Sequence, residues 1–255
     1  FMTGDITPEQ GFALAEAAFG GWARPATPLP APPAITPTGK PRAIVIDLPG
    51  TGQAAVNLAK TGIARSDPDY YPGIVANTLL GGGYSSRLNL EIRIKRGLSY
   101  GASSNLSANL RTGSFRAAAQ TKNETAPQVL DLIAEQMTSM ATTPASADEI
   151  KARESNLVGS YGRRLETTGG LADILGNLAL YGVPLDEITH YTAKVEAVTP
   201  AQVQAFARRV MNPAQASVII AGDAKVFAEA LKAKHPDLEV IPVDKLDLDS
   251  PTLRK

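Results

Sequence analysis

Residues 81–101 read GGGYSSRLNLEIRIKRGLSYG: three glycines, an amphipathic basic run, then a glycine at 97 and a tyrosine at 100. Glycine allows positive φ and close approach of another backbone. Such a run can cap a helix, cradle a phosphate or line a groove for an extended chain. The glycines match neither Gly-x-x-x-x-Gly-Lys-Ser/Thr nor Gly-x-Gly-x-x-Gly in a strand-to-helix setting, which argues against phosphate. In the helix predicted from about 85 to 96, Leu88 and Ile92 read as core. Glu91 and Lys95, four apart with the acid first, read as a surface pair. Termination at Gly97 lets the chain turn and place Tyr100 early on the following strand, so that a residue late in the helix and one early in the strand can face one cleft. On local pattern alone, an arginine on a basic helix is a solvated charge and a tyrosine at a strand start is packing.

Outward from this stretch, strands cluster and helices come in a block. A helical pattern from about 68 to 80 runs into the glycines. Ahead of it, RAIVIDL (42–48) is a strand broken by Pro49-Gly50, and a second strand covers about 53–63. After it, SYGASSNLSANL and GSFRAAAQTK flank Arg111-Thr112-Gly113 as a β-hairpin. Residues 125–211 are helical in pattern, with breaks near Thr143-Pro144, Gly169-Gly170, Gly182-Val183-Pro184 and Thr199-Pro200. The strand SVIIAG, a helix, the strand LEVIPV and a polar tail close the chain. This order implies an α+β fold, an antiparallel or mixed sheet with helices packed on it.

The segment from Ala23 to Pro41 is proline-rich and has no hydrophobic period, as expected of an extended linker. Before it, residues 1–22 share a pattern with 219–240: apolar residues, then Gly4-Asp5 or Gly222-Asp223, then an amphipathic helix. Thr7-Pro8-Glu9 supplies a cap and first turn for the earlier helix. Two readings fit. Residues 1–22 are the last strand and helix of a preceding homologous domain, with 23–41 leading to a complete copy at 42–255, or they form an ordinary N-terminal helix docked on the same core.

Composition narrows the chemistry. Lys and Arg number 25, Asp and Glu 25, and the basic residues are scattered, so a nucleic-acid partner is not expected. No run is long and apolar enough to predict a membrane span. With no cysteine, thiolate sites are excluded, and the two histidines, His190 and His235, lie too far apart to form a local metal pair. Pro236 breaks any helix that would join His235 to Glu239. Asp244, Asp247 and Asp249 read as a solvated acidic tail, and Arg163 and Arg164 as a charged helix end.

The longer run LLGGGYSSRLNLEIRIKRGLSYG (79–101) resembles the second-domain signature of the pitrilysin-type (M16) zinc peptidases, the family of insulin-degrading enzymes and mitochondrial processing peptidase. The likeness takes in the GD-TPEQ segment, the proline-rich stretch, the strand at 42–48, the helical block and the closing VIIAGD. It implies a processing-peptidase-like (LuxS-like) metallohydrolase fold, with two homologous α+β domains in each half of a clam-shell. One half carries His-x-x-Glu-His. That motif is absent from this sequence, so the zinc implied for the complete enzyme is expected on another domain or subunit, as in a heterodimer.

By the same resemblance, Arg93 and Tyr100 fall on a pair that holds the substrate backbone beside the metal, with GLSY where relatives have GLAY. Gly81, Gly82, Gly83, Tyr84 and Ser85 match a segment lining the substrate chamber. The implied function is the substrate-binding C-terminal half, or partner subunit, of a metalloendopeptidase that hydrolyses peptides, inactive by itself. The alternative is a non-catalytic structural or peptide-binding subunit like the respiratory-complex core proteins. Relatives suggest a periplasmic or other extracytoplasmic setting.

Overall fold

The computed structural model describes residues 1–28, 30 and 39–255; residues 29 and 31–38 of the expected linker lie outside the described residues. Alternating apolar positions build one mixed sheet. β1 (Ala43–Asp47), β2 (Gln53–Thr61) and the short β3 (Ile63–Ala64) come first, β4 (Ala102–Asn109) and β5 (Ser114–Lys122) form the expected hairpin, and β6 (Ser217–Gly222) and β7 (Glu239–Pro242) close it. The order across the sheet is β3-β4-β5-β2-β6-β1-β7. The pairs β4–β5, β5–β2 and β2–β6 are antiparallel. β1 lies parallel to both β6 and β7, partners reached only through the helical block, as parallel pairing requires.

Helices cover one face. In β5, Phe115, Ala117 and Ala119 are buried while Arg116, Gln120 and Lys122 are exposed, the alternation of a half-buried sheet. Against the buried face pack Val75 and Leu79 of α2 (Tyr70–Gly81), Val129, Ile133 and Met137 of α3 (Ala126–Thr142), and Phe206 of α7 (Pro200–Val210). Between α3 and α7 run α4 (Ala147–Leu165), α5 (Thr168–Leu180) and α6 (Glu187–Glu196), and α8 (Ala224–Lys232) adds Phe227.

Hydroxyl caps set the helix starts. Ser146, Thr167 and Thr199 each accept a hydrogen bond from the backbone three residues on, satisfying a donor the helix leaves open. Thr167 shifts the expected break: its Oγ1 takes the Gly170 amide at 3.1 Å, so Gly169 and Gly170 lie in the first turn of α5 and not between helices. The N-terminal helix α1 (Pro8–Phe19) has its Thr7–Gln10 capping box but buries no residue. The Thr3 hydroxyl, ahead of it, donates to the Thr168 carbonyl at 2.6 Å.

Candidate functional site

The glycine run sits where α2 ends against β4. A Cβ on Gly81 would lie 2.0 Å from the Ser104 amide nitrogen and 2.6 Å from the Ser103 carbonyl carbon. Only glycine lets the helix terminate directly on the strand. Positive φ plays no part in the run itself, since the positive-φ glycines are Gly4, Gly50, Gly97 and Gly182. Of the two properties expected of these glycines, backbone approach is the one used.

The basic stretch that follows is helical from Arg87, and from Asn89 to Ile94 it is a π-helix instead of the expected α-helix. The Lys95 N–H bonds to the Leu90 carbonyl at 2.9 Å, five residues back. Leu88 and Ile92 are fully buried, as expected. Asn89 is the anchor of the widened turn: 4% exposed, it donates from Nδ2 to the Tyr84 carbonyl at 2.6 Å and accepts at Oδ1 from the Ala102 amide at 3.4 Å. One side chain thereby ties the glycine loop, the π-helix and β4 together, and π-turns of this kind recur at functional sites.

Gly97 ends the helix with φ +62°, its N–H on the Arg93 carbonyl at 3.0 Å. The Ser99 hydroxyl then donates to the Gly101 carbonyl and accepts from the Gly101 amide. This local turn delays the strand, so Tyr100 stands on the loop before β4 and not on it, 89% exposed.

A groove of about 480 Å³ opens beside these elements, lined by Gly81 to Tyr84, Asn89, Arg93 and Ala102 to Ser104. The Arg93 guanidinium lies over the Tyr84 ring, 4.9 Å from its centroid, a cation–π contact. Among the described residues it makes no ion pair or hydrogen bond. The acid on the same helix is committed elsewhere: Lys95 and Arg96 both bond to Glu91 and hold its carboxyl below the usual range. The structure therefore gathers Gly81, Gly82, Gly83, Tyr84 and Arg93 around one groove. Tyr100 is outside its lining. Ser85 is turned to α4, its hydroxyl and carbonyl accepting from Arg153 at 2.7 and 2.9 Å.

A family model described as the peptidase M16 inactive domain matches residues 1–157. The chain belongs to that family. It is 35% identical over 162 residues to an uncharacterized zinc protease of Streptomyces coelicolor, covering 64% of this chain and 35% of the relative. A similar protein of Mycobacterium leprae is 30% identical over 146 residues, 57% of this chain and 33% of the relative. The chain thus spans about a third of the length of the curated relatives it matches. The crystal structure of a peptidase M16 inactive domain from Pseudomonas fluorescens superposes with a TM-score of 0.75 at 27% identity, over 86% of this chain and 52% of that one. A Helicobacter pylori protease structure has a TM-score of 0.78 at 19% identity, over 86% and 54% of the two chains, a likeness of fold.

In this M16 inactive domain, sequence reasoning missed the residues that brace the groove from behind. Arg87 makes a bidentate pair with Glu149 of α4, both contacts 2.8 Å, and its guanidinium holds that carboxyl below the usual range. Arg153 adds the Ser85 contacts. Asn89 carries a faint signal, a polar residue between two leucines in an apolar run; Arg87 and Arg153 look like ordinary surface charges. Among the described residues no three His, Cys, Asp or Glu side chains come together as a metal-binding group; His190 is exposed and His235 half-buried. The described side chains do not by themselves fit a zinc centre.

Proposed function

We propose that this M16 inactive domain is the substrate-binding C-terminal half, or partner subunit, of a zinc-dependent metalloendopeptidase, with Arg93 and Tyr100 positioning the peptide backbone. The observation that carries the reading is a pair of strong donors left uncommitted near the glycine groove. Arg93 rests on an aromatic ring and not on a carboxylate, and the exposed Tyr100 hydroxyl has no hydrogen-bond partner among the described residues. A permanently charged guanidinium and a phenol O–H both suit a peptide carbonyl or the oxyanion that develops from it. The groove also lies at the C-terminal end of α2. Helix carbonyls there carry partial negative charge, which disfavours phosphate and favours peptide N–H groups.

The relatives named zinc proteases support zinc in the complete enzyme, held by another domain or chain. Residues 1–22 fit a preceding homologous domain. Asp223 accepts the Gly50 amide at 2.9 Å, whereas its counterpart Asp5 has no such partner among the described residues, and Phe12, Phe19 and Trp22 of the N-terminal piece stand exposed. The test is to assay fluorogenic peptides with the purified chain, with a separately expressed zinc-bearing M16 half, and with both. Cleavage that needs both and stops with a chelator is expected. Chelator-sensitive cleavage by the chain alone overturns the reading.

A further inference from the structure

The far ends of α2 and β4 frame a second cavity, of about 330 Å³, between the sheet edge and helices α4 to α6. Helix and strand rises place it roughly 16 Å from the glycine groove. Its volume falls in the range of small-ligand sites. Ile74, Leu106, Ile174 and Leu178 give it an apolar lining.

Its charges are unbalanced. Arg65 and Arg164 both line it, and neither guanidinium makes a hydrogen bond or ion pair among the described residues. The Arg65 guanidinium lies over the Tyr70 ring, 3.7 Å from its centroid. The lining carboxylate, Glu187, is already engaged: the Tyr71 hydroxyl donates to one oxygen and Lys194 to the other. Burial raises the phenols of Tyr70 and Tyr191 above their usual range, and both arginines pull the other way, so the two cations act on the same rings. The hydroxyls of Tyr70, Tyr181 and Tyr191 have no partners among the described residues. Arg163 by contrast bonds to Ser160 at 2.9 Å as part of a solvated helix end; its neighbour Arg164 is the one that enters the cavity wall.

We propose that this cavity binds an apolar-bodied carboxylate, the body against Leu106 and Leu178 and the carboxylate on the guanidiniums of Arg65 and Arg164. A neutral apolar ligand would cover Arg65 and Arg164 with only Glu187 to compensate them, a carboxylate that already serves Tyr71 and Lys194 and feels Arg65 through space. A bare phosphate would leave the apolar lining in water. Two sources share the chemistry, a free aromatic or aliphatic acid and the C-terminal residue of a peptide.

Isothermal titration of the 255-residue chain tests this with N-acetyl-L-phenylalanine, its amide, phenylacetate, inorganic phosphate, and a pentapeptide ending in phenylalanine with a free or amidated terminus. The carboxylates should bind, with the amides and phosphate at least about tenfold weaker. Phenylacetate binding more tightly than the peptide acid marks a free acid as the source, and the reverse marks a peptide end. Arg164→Gln should weaken every carboxylate about tenfold at an unchanged melting temperature, since no bond of that guanidinium supports the fold. Arg65→Gln should do the same to affinity. Equal binding of acid and amide, equal binding of phosphate, no carboxylate binding, or full affinity in a folded Arg164→Gln variant overturns the proposal and leaves the peptidase reading untouched.

Discussion

Gly81 and Gly83 are two residues apart and do different work. The first is pressed against the backbone of Ser103 and Ser104, while a Cβ at the second meets nothing within 4 Å. Gly81→Ala should therefore lower stability by about 1–3 kcal/mol, the range for overpacking. Gly83→Ala should stay within about 0.5 kcal/mol of the parent. Denaturant melts of the two variants check this, and equal midpoints would contradict the placement of α2 on β4. The run was legible as a helix end and as a place of close approach, because glycine's properties are local. Which glycine is needed was not, because that depends on a strand some twenty residues later. Asn89 was only faintly legible, as a polar residue in an apolar run, because its partners Tyr84 and Ala102 come from the loop before it and the strand after it.

Between elements, the groove is braced by α4 through the Arg87–Glu149 pair and the Arg153–Ser85 contacts. The Arg87 guanidinium keeps the folded pKa of Glu149 below its ordinary 4.5. The unfolded chain then takes up the proton first, so the brace contributes fully above that ordinary value and is lost as pH falls through the lowered one. Wild-type protein should lose more melting temperature than Glu149→Gln on acidification from neutral to below pH 4.5. Parallel losses would show that the pair contributes nothing. Alternation and caps made most strands and helices readable, down to the hairpin at Arg111-Thr112-Gly113. The π-helix was not readable, since the apolar spacing of Leu88 and Ile92 fits an α-turn equally well and the extra residue appears only in the hydrogen-bond pattern. Tyr100 slipped off its expected strand because Ser99 closes a local turn on Gly101.

In the whole molecule, an M16 inactive domain presents a glycine-floored groove with an arginine that has no ion pair among the described residues, an exposed tyrosine beyond it, and a helix α1 whose large apolar side chains remain in solvent. The sequence signalled the missing metal motif directly, because His-x-x-Glu-His is a local pattern. It could not signal the Arg65–Arg164 cavity, whose walls come from five separate elements. On the proposed reading, Arg93 and Tyr100 act on substrate and not on the fold. The most direct measurement is peptide cleavage by the chain reconstituted with a zinc-bearing half, comparing wild type with Arg93→Ala and Tyr100→Phe. Each substitution should lower kcat/KM by about a hundredfold, the cost of one donor to a developing oxyanion, at unchanged melting temperature. Cleavage at the wild-type rate in both variants would contradict the claim and leave the groove as a binding surface alone.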